Sequence, residues 1–161
     1  MKVKLFQRPV SLITAFGDKV RVTPGVLSHF SSALHKHNLN LYAISTGLDS
    51  ITFIVDYADE QDSFGVLRDA IKDGPSAFSE LVLRSNKSVI TIDATEHADT
   101  PGIASVSISG LAREKLNIIE MFSSYGNITI VVEPEYRKKA YELMLASLSK
   151  EFGEIESEKQ N

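Results

Sequence analysis

Apolar residues fall at two spacings along this chain, and the switches between them mark its elements. Val10 to Phe16 is a short apolar run, which predicts a strand, and Gly17-Asp18-Lys19 interrupts it. Val26, Phe30, Ala33 and Leu34 then recur at helical spacing and predict a helix to about His37. Thr23 fits its N-cap and Pro24 its first helical position, where a missing N–H costs nothing. Leu39 to Thr46 and Ser50 to Tyr57 read as strands around the turn Gly47-Leu48-Asp49. Asp59 to Lys72 reads as a second helix with Phe64, Leu67, Ala70 and Ile71 as its stripe, stopped by Asp73-Gly74-Pro75. Phe78 to Leu83 closes the series as a fourth strand, giving the order βαββαβ.

The series then returns. Val89 to Asp93 reads as a strand, and Thr100 as the cap of a helix reaching about Lys115, with Ile103, Val106, Gly110 and Leu111 facing inward. Ile118 to Ser123 and Ile128 to Val132 read as strands around Tyr125-Gly126. Glu133-Pro134-Glu135 opens a long helix to about Phe152, its acidic residues suited to the positive end of the helix dipole. Glu154 to Asn161 reads as a frayed polar tail with no fourth strand. A spare β-like segment, Lys2 to Phe6, precedes the first copy. It is expected to cross over and complete the second sheet, the alternative being a disordered arm.

The two halves also match residue by residue at a fixed offset of 77. Thr23-Pro24-Gly25-Val26 returns as Thr100-Pro101-Gly102-Ile103, Leu39-Asn40-Leu41 as Leu116-Asn117-Ile118, and Ser50 to Val55 as Asn127 to Val132. A period this long indicates a duplicated domain rather than a solenoid repeat of about 20–50 residues. The expected boundaries are 9–84 for the first domain, 1–8 plus 85–153 for the second, and 154–161 for the tail. Units of about 75 residues bury only about 60–65% of their unfolded surface. They are therefore expected to lean on each other or on a second chain.

Composition narrows the function. The net charge of −4 repels phosphate backbones and argues against nucleic acid as a partner. Cysteine is absent, which removes disulfides, thiolate nucleophiles and zinc–thiolate sites. No stretch approaches the roughly 20 apolar residues of a membrane span, and the start lacks a signal-peptide core, so a cytoplasmic protein is expected. His35 and His37 lack the i, i+4 spacing of a metal pair. The acidic string Asp56, Asp59, Glu60, Asp62 reads as a solvated helix start. No phosphate loop, nucleophile elbow or paired-carboxylate motif is present. Neither metal, cofactor nor catalysis by this chain alone is expected.

The βαββαβ unit, the Thr-Pro-Gly loop before its first helix, and Asn-x(3)-Ile-Ser in its second strand together resemble an ACT domain, a small amino-acid-binding regulatory module. The unit and the loop recur in both copies, over about residues 9–153, and Asn-x(3)-Ile-Ser stands in the first. The pair, with an N-terminal strand given to the second copy, is similar to the C-terminal regulatory half of aspartate kinases. Thr23-Pro24-Gly25-Val26 and Ala43-Ile44-Ser45-Thr46 carry that likeness best. It implies an α+β fold of two tandem ferredoxin-like domains, a homodimer through ACT domains, an amino-acid effector (lysine or threonine) and a possible catalytic kinase subunit. The catalytic domain is missing, so a separate subunit, a stand-alone regulator or an excised fragment is expected.

The loop has its own physical reading. A helix N-terminus exposes unpaired N–H groups and partial positive charge suited to a carboxylate, and an unpaired strand edge can offer carbonyls to an ammonium. Carried over from the resemblance, the first-copy site would comprise Val22, Thr23, Pro24, Gly25 and Val26 of the loop. Asn40, Leu41, Tyr42, Ser45 and Thr46 would come from the strand, and Asp49, Ser50 and Ile51 from the turn. The second copy offers Asp99, Thr100, Pro101, Gly102, Ile103, Asn117, Ile118, Ile119, Ser123 and Asn127. The first copy is favoured as the effector site by the resemblance. Asp49 and Glu120 are candidate partners for a lysine ammonium. A Thr-Pro-Gly helix start needs no ligand, however, and a dimerisation module without one stands as the alternative.

Overall fold

The computed structural model describes residues 1–74 and 78–160; Pro75, read as part of a helix stop, and Asn161, read as the end of the tail, lie outside them. The strands are β1 (Lys2–Phe6), β2 (Val10–Phe16), β3 (Ala43–Thr46), β4 (Ser50–Asp56), β5 (Glu80–Asp93), β6 (Glu120–Ser124), β7 (Asn127–Val132) and β8 (Glu156–Gln160). The helices are α1 (Val26–Lys36), α2 (Glu60–Asp73), α3 (Ile103–Arg113) and α4 (Arg137–Phe152). The fold is α+β, and the chain divides into two compact units, Val10–Asn86 and Met1–Pro9 with Lys87–Asn161.

In the first unit the sheet runs β3-β4-β2 and on to β5, just before which Ser79 N–H donates to the Phe16 carbonyl at 2.9 Å. The helical spacing read from the sequence buries Val26, Phe30 and Leu34 of α1 and Leu67 and Ala70 of α2 against Ile13, Phe53 and Val55 of the sheet. Phe30 sits edge-on to Phe53 and Phe78, with ring centroids 5.4 and 4.9 Å apart. Such pairs contribute about 0.5–1.5 kcal/mol beyond their area.

In the second unit the sheet runs β6-β7-β5-β1-β8. Strand β1 lies antiparallel to the end of β5, Lys2 opposite Asp93 and Leu5 opposite Ile90, so the N-terminal strand does complete the second domain. Val3 and Leu5 enter a core with Ile90, Ile130, Leu111, Met144 and Leu148.

Four local expectations are corrected. The residues read as a frayed tail form β8, paired in parallel with β1. Its sequence, Glu-Ser-Glu-Lys-Gln, has no apolar alternation because it sits at the sheet's outer edge. The separate strands read at 78–83 and 89–93 are one strand, β5. The polar stretch between them stays extended apart from Asn86, which takes the left-handed φ of 53° that Asn tolerates. The strand read from Leu39 begins only at Ala43, since Leu39 N–H still donates to Leu34 of the preceding helix.

Neither Thr23 nor Thr100 is a cap, and neither Pro24 nor Pro101 opens a helix. Gly25 and Gly102 are the N-cap residues, at φ 83° and 94°, conformations that only glycine adopts at little cost. The Thr23 hydroxyl instead donates backward to the Lys19 carbonyl at 2.8 Å.

Candidate functional site

Both Thr-Pro-Gly loops deliver the chain to a helix whose first turn has no side-chain cap. The leading N–H groups of α1 and α3 are therefore available to an acceptor from outside. Facing strands β3 and β6 each lie at an edge of their sheet, β3 paired with β4 and β6 with β7.

In the second unit these parts border an open cleft of about 240 Å³. Thr100, Gly102, Ile103 and Ala104 line it from the loop and the start of α3, and Ser123 and Ser124 from β6. Gly126, Asn127 and Ile128 line it from the turn and β7, with Ala94 and Ala98 on the remaining side. Its walls are tied together. Ala94 N–H donates to the Gly126 carbonyl at 2.7 Å, and the Tyr125 hydroxyl to Asp99 at 3.2 Å. Gly126 sits at φ 84° with Thr95 so close that a Cβ would lie 2.8 Å from its Cα. Behind the cleft, Asp93 accepts from the Thr95 hydroxyl (2.8 Å) and pairs with Lys4 (3.1 Å). The Thr95 hydroxyl first, and then Lys4, hold its carboxyl below the usual aspartate range.

Of the second-copy residues read from the sequence, Thr100, Gly102, Ile103, Ser123 and Asn127 meet in this one cleft. Asp99 is engaged by Tyr125. Pro101, Asn117, Ile118 and Ile119 do not line it, and neither does Glu120, the candidate lysine partner. Ala94, Ala98, Ala104, Ser124, Gly126 and Ile128 were not anticipated. His97 lies in a short 3₁₀ turn with its Nδ1 buried and without a hydrogen-bond partner.

The first-copy residues lie differently. Gly25 borders a groove of about 600 Å³ that runs along α1 and α2, past His29, Lys36, Asp69 and Asp73. Of the residues predicted for the first copy, Gly25 is the one this groove takes in. The Tyr42 hydroxyl donates to Asp56 at 2.7 Å, and the Asp49 carbonyl accepts from Gly17. Val26 and Ile51 are buried, while Val22, Pro24, Asn40 and Thr46 are exposed. Thr23, Leu41, Ser45 and Ser50 are half-buried. This unit instead carries most of the exposed large apolar side chains: Val22, Leu27, Tyr42, Ile44, Leu48 and Tyr57.

Glu60, read from the sequence as part of a solvated acidic string, is instead buried. Glu60 accepts from the hydroxyls of Ser11 and Ser85, each at 2.5 Å. Burial alone would raise its pKa, but these donors and Gln61 hold it below the usual glutamate range. Among the described residues no group of three or more His, Cys, Asp or Glu gathers to hold a metal. No described helix is long and apolar enough to cross a membrane.

Residues 13–71 match the ACT domain family. No curated protein sequence matches the chain. Among solved structures, the regulatory subunit of aspartate kinase from Thermus flavus superposes with a TM-score of 0.79 at 19% identity, covering 92% of this chain and 97% of that one. The aspartokinase alpha and beta subunits give 0.79 at 16%, covering 92% and 98%. E. coli aspartokinase III in complex with lysine and aspartate gives 0.65 at 17%, covering 93% of this chain and 32% of that one. At these identities the likeness establishes the fold.

Proposed function

We propose, for a chain whose residues 13–71 match the ACT domain family and whose two repeats share the fold of aspartate kinase regulatory subunits, that the protein is an amino-acid-sensing regulatory module without catalysis of its own. The observation that carries this reading is the cleft at the start of α3. Its uncapped helix N-terminus suits a carboxylate, and the edge of β6 offers carbonyls to an ammonium. An α-amino acid presents both groups a few bonds apart. The module would act by linkage: an effector that binds one arrangement more tightly shifts the population toward it. Catalysis would be supplied by a kinase domain on another chain or segment.

The assembly that fits is a homodimer through the first unit, where the edge strand β3 carries exposed Ile44 between exposed Tyr42 and Leu48. That same surface favours the second reading, a dimerisation module with no ligand. A thermal-shift screen of the chain against the common amino acids separates the two. An effector at about 100 times its Kd stabilises by about 2.7 kcal/mol. No shift with any amino acid, in a protein that sediments as a dimer, leaves the dimerisation reading.

A further inference from the structure

We infer that the cleft of the second repeat, rather than the matching place in the first, takes the amino acid, and that it selects a small one with an uncharged side chain. The inference rests on the proposed reading of this cleft as an amino-acid site. It comes from comparing the repeats position by position. At the 77-residue offset, Ala98 stands where the first repeat has Arg21, and Ala104 where it has Leu27. Both alanines line the cleft. Long side chains at these two places are what the second repeat lacks.

The chemistry of the walls sets the ligand class. No carboxylate and no cationic side chain lines the cleft. The nearest acid in sequence, Asp99, is held by Tyr125. A lysine or glutamate side chain entering here would lose water without gaining a counter-charge, which is costly. Thr100, Ser123 and Ser124 line the walls with Ala98 and Ala104; Ser123 and Ser124 are consecutive on β6, so one of their two hydroxyls faces the cleft side of the strand. Those surfaces match a side chain of one to three heavy atoms bearing a hydroxyl or methyl. The size agrees: about 240 Å³ falls below the roughly 300–1,000 Å³ of pockets for drug-sized ligands.

The test is calorimetric titration of the full chain with threonine, serine, alanine, lysine and glutamate, repeated on Ala104→Leu. Leu27 occupies the matching place in the first repeat at 42% exposure, so the fold accepts leucine there. The expected result is binding of the three small amino acids, with lysine and glutamate at least tenfold weaker. Ala104→Leu should weaken the small ligands tenfold or more while its ligand-free Tm stays near wild type. Ala98→Arg provides a second filling, and the wild-type lysine-to-threonine ratio decides selectivity even if neither variant folds. Lysine binding as tightly as threonine overturns the selectivity but keeps the regulatory reading. Undiminished binding by folded Ala104→Leu or Ala98→Arg places the site elsewhere. Absence of binding by any amino acid to wild type removes the underlying reading as well.

Discussion

Truncating Leu5 to alanine should destabilise the second unit selectively. Leu5 is 4% exposed on β1 and stands opposite Ile90 of β5, so their side chains share one face of the sheet. It packs in the cluster containing Ile90, Met144 and Leu148. Buried leucine-to-alanine changes cost about 2–5 kcal/mol, combining lost transfer energy with the cavity left behind. For a residue this enclosed between two strands, about 3 kcal/mol is expected. Since about 1.4 kcal/mol is a factor of ten, the slowest amides of residues 87–160 should exchange roughly 100-fold faster. Those of residues 10–74 should change much less, because Leu5 is absent from their core. Native-state amide exchange followed by mass spectrometry reads both at once. Equal acceleration in the two units, or none in the second, would refute the placement of the N-terminal strand in the second core.

Further consequences can be checked separately. Gly110→Ala should destabilise by about 1–3 kcal/mol in urea unfolding, because a Cβ there would meet Ser147 Oγ at 2.7 Å and the Leu143 carbonyl at 3.2 Å. Gly25→Ala and Gly102→Ala should each cost about 1–2 kcal/mol through backbone strain alone, since no atom lies within 4 Å of either Cβ. A glycine replacement at these loops is thus a stability probe before it is a binding probe. Glu60→Gln should cost about 1–3 kcal/mol through its weakened bonds to Ser11 and Ser85. The folded Glu60 carboxyl lies below its unfolded value. Its contribution is therefore present above the ordinary glutamate range and lost as pH falls through the folded pKa; urea midpoints against pH should show that loss in wild type and less of it in Glu60→Gln. Ile44→Lys, on the exposed edge strand, should convert the proposed dimer to monomer in sedimentation without unfolding it.

The duplication and the first three helices were legible because both are written in spacing, a fixed offset of 77 and apolar residues three and four apart, while the fourth helix was read from its Glu133-Pro134-Glu135 start. Val26, Phe30 and Leu34 are buried as that spacing requires. The Thr-Pro-Gly loops were misread because a threonine hydroxyl can serve the turn before it as well as the helix after it, and Thr23 serves Lys19. Strand β8 left no signature, since an outer-edge strand next to β1 needs backbone partners more than apolar side chains. The unbroken β5 was hidden by its polar middle, Arg84 to Lys87. The Glu60 network joins Ser11 and Ser85, far apart in sequence, and no local pattern announces it. Part of the second-copy cleft was legible in Thr100, Gly102, Ser123 and Asn127. Ala98 and Ala104, which line it, stand where the first repeat has Arg21 and Leu27, and that contribution shows only as a difference between the repeats.

The most direct measurement is a ¹H–¹⁵N NMR titration of the ¹⁵N-labelled chain with threonine. If the amino acid is held at the uncapped start of α3, the amides of Gly102 to Ser105 and of Ser123 to Ile128 shift saturably, and those of Gly25 to Ser28 stay in place. Shifts confined to the first repeat, or no saturable shift with threonine or any other amino acid, contradict it.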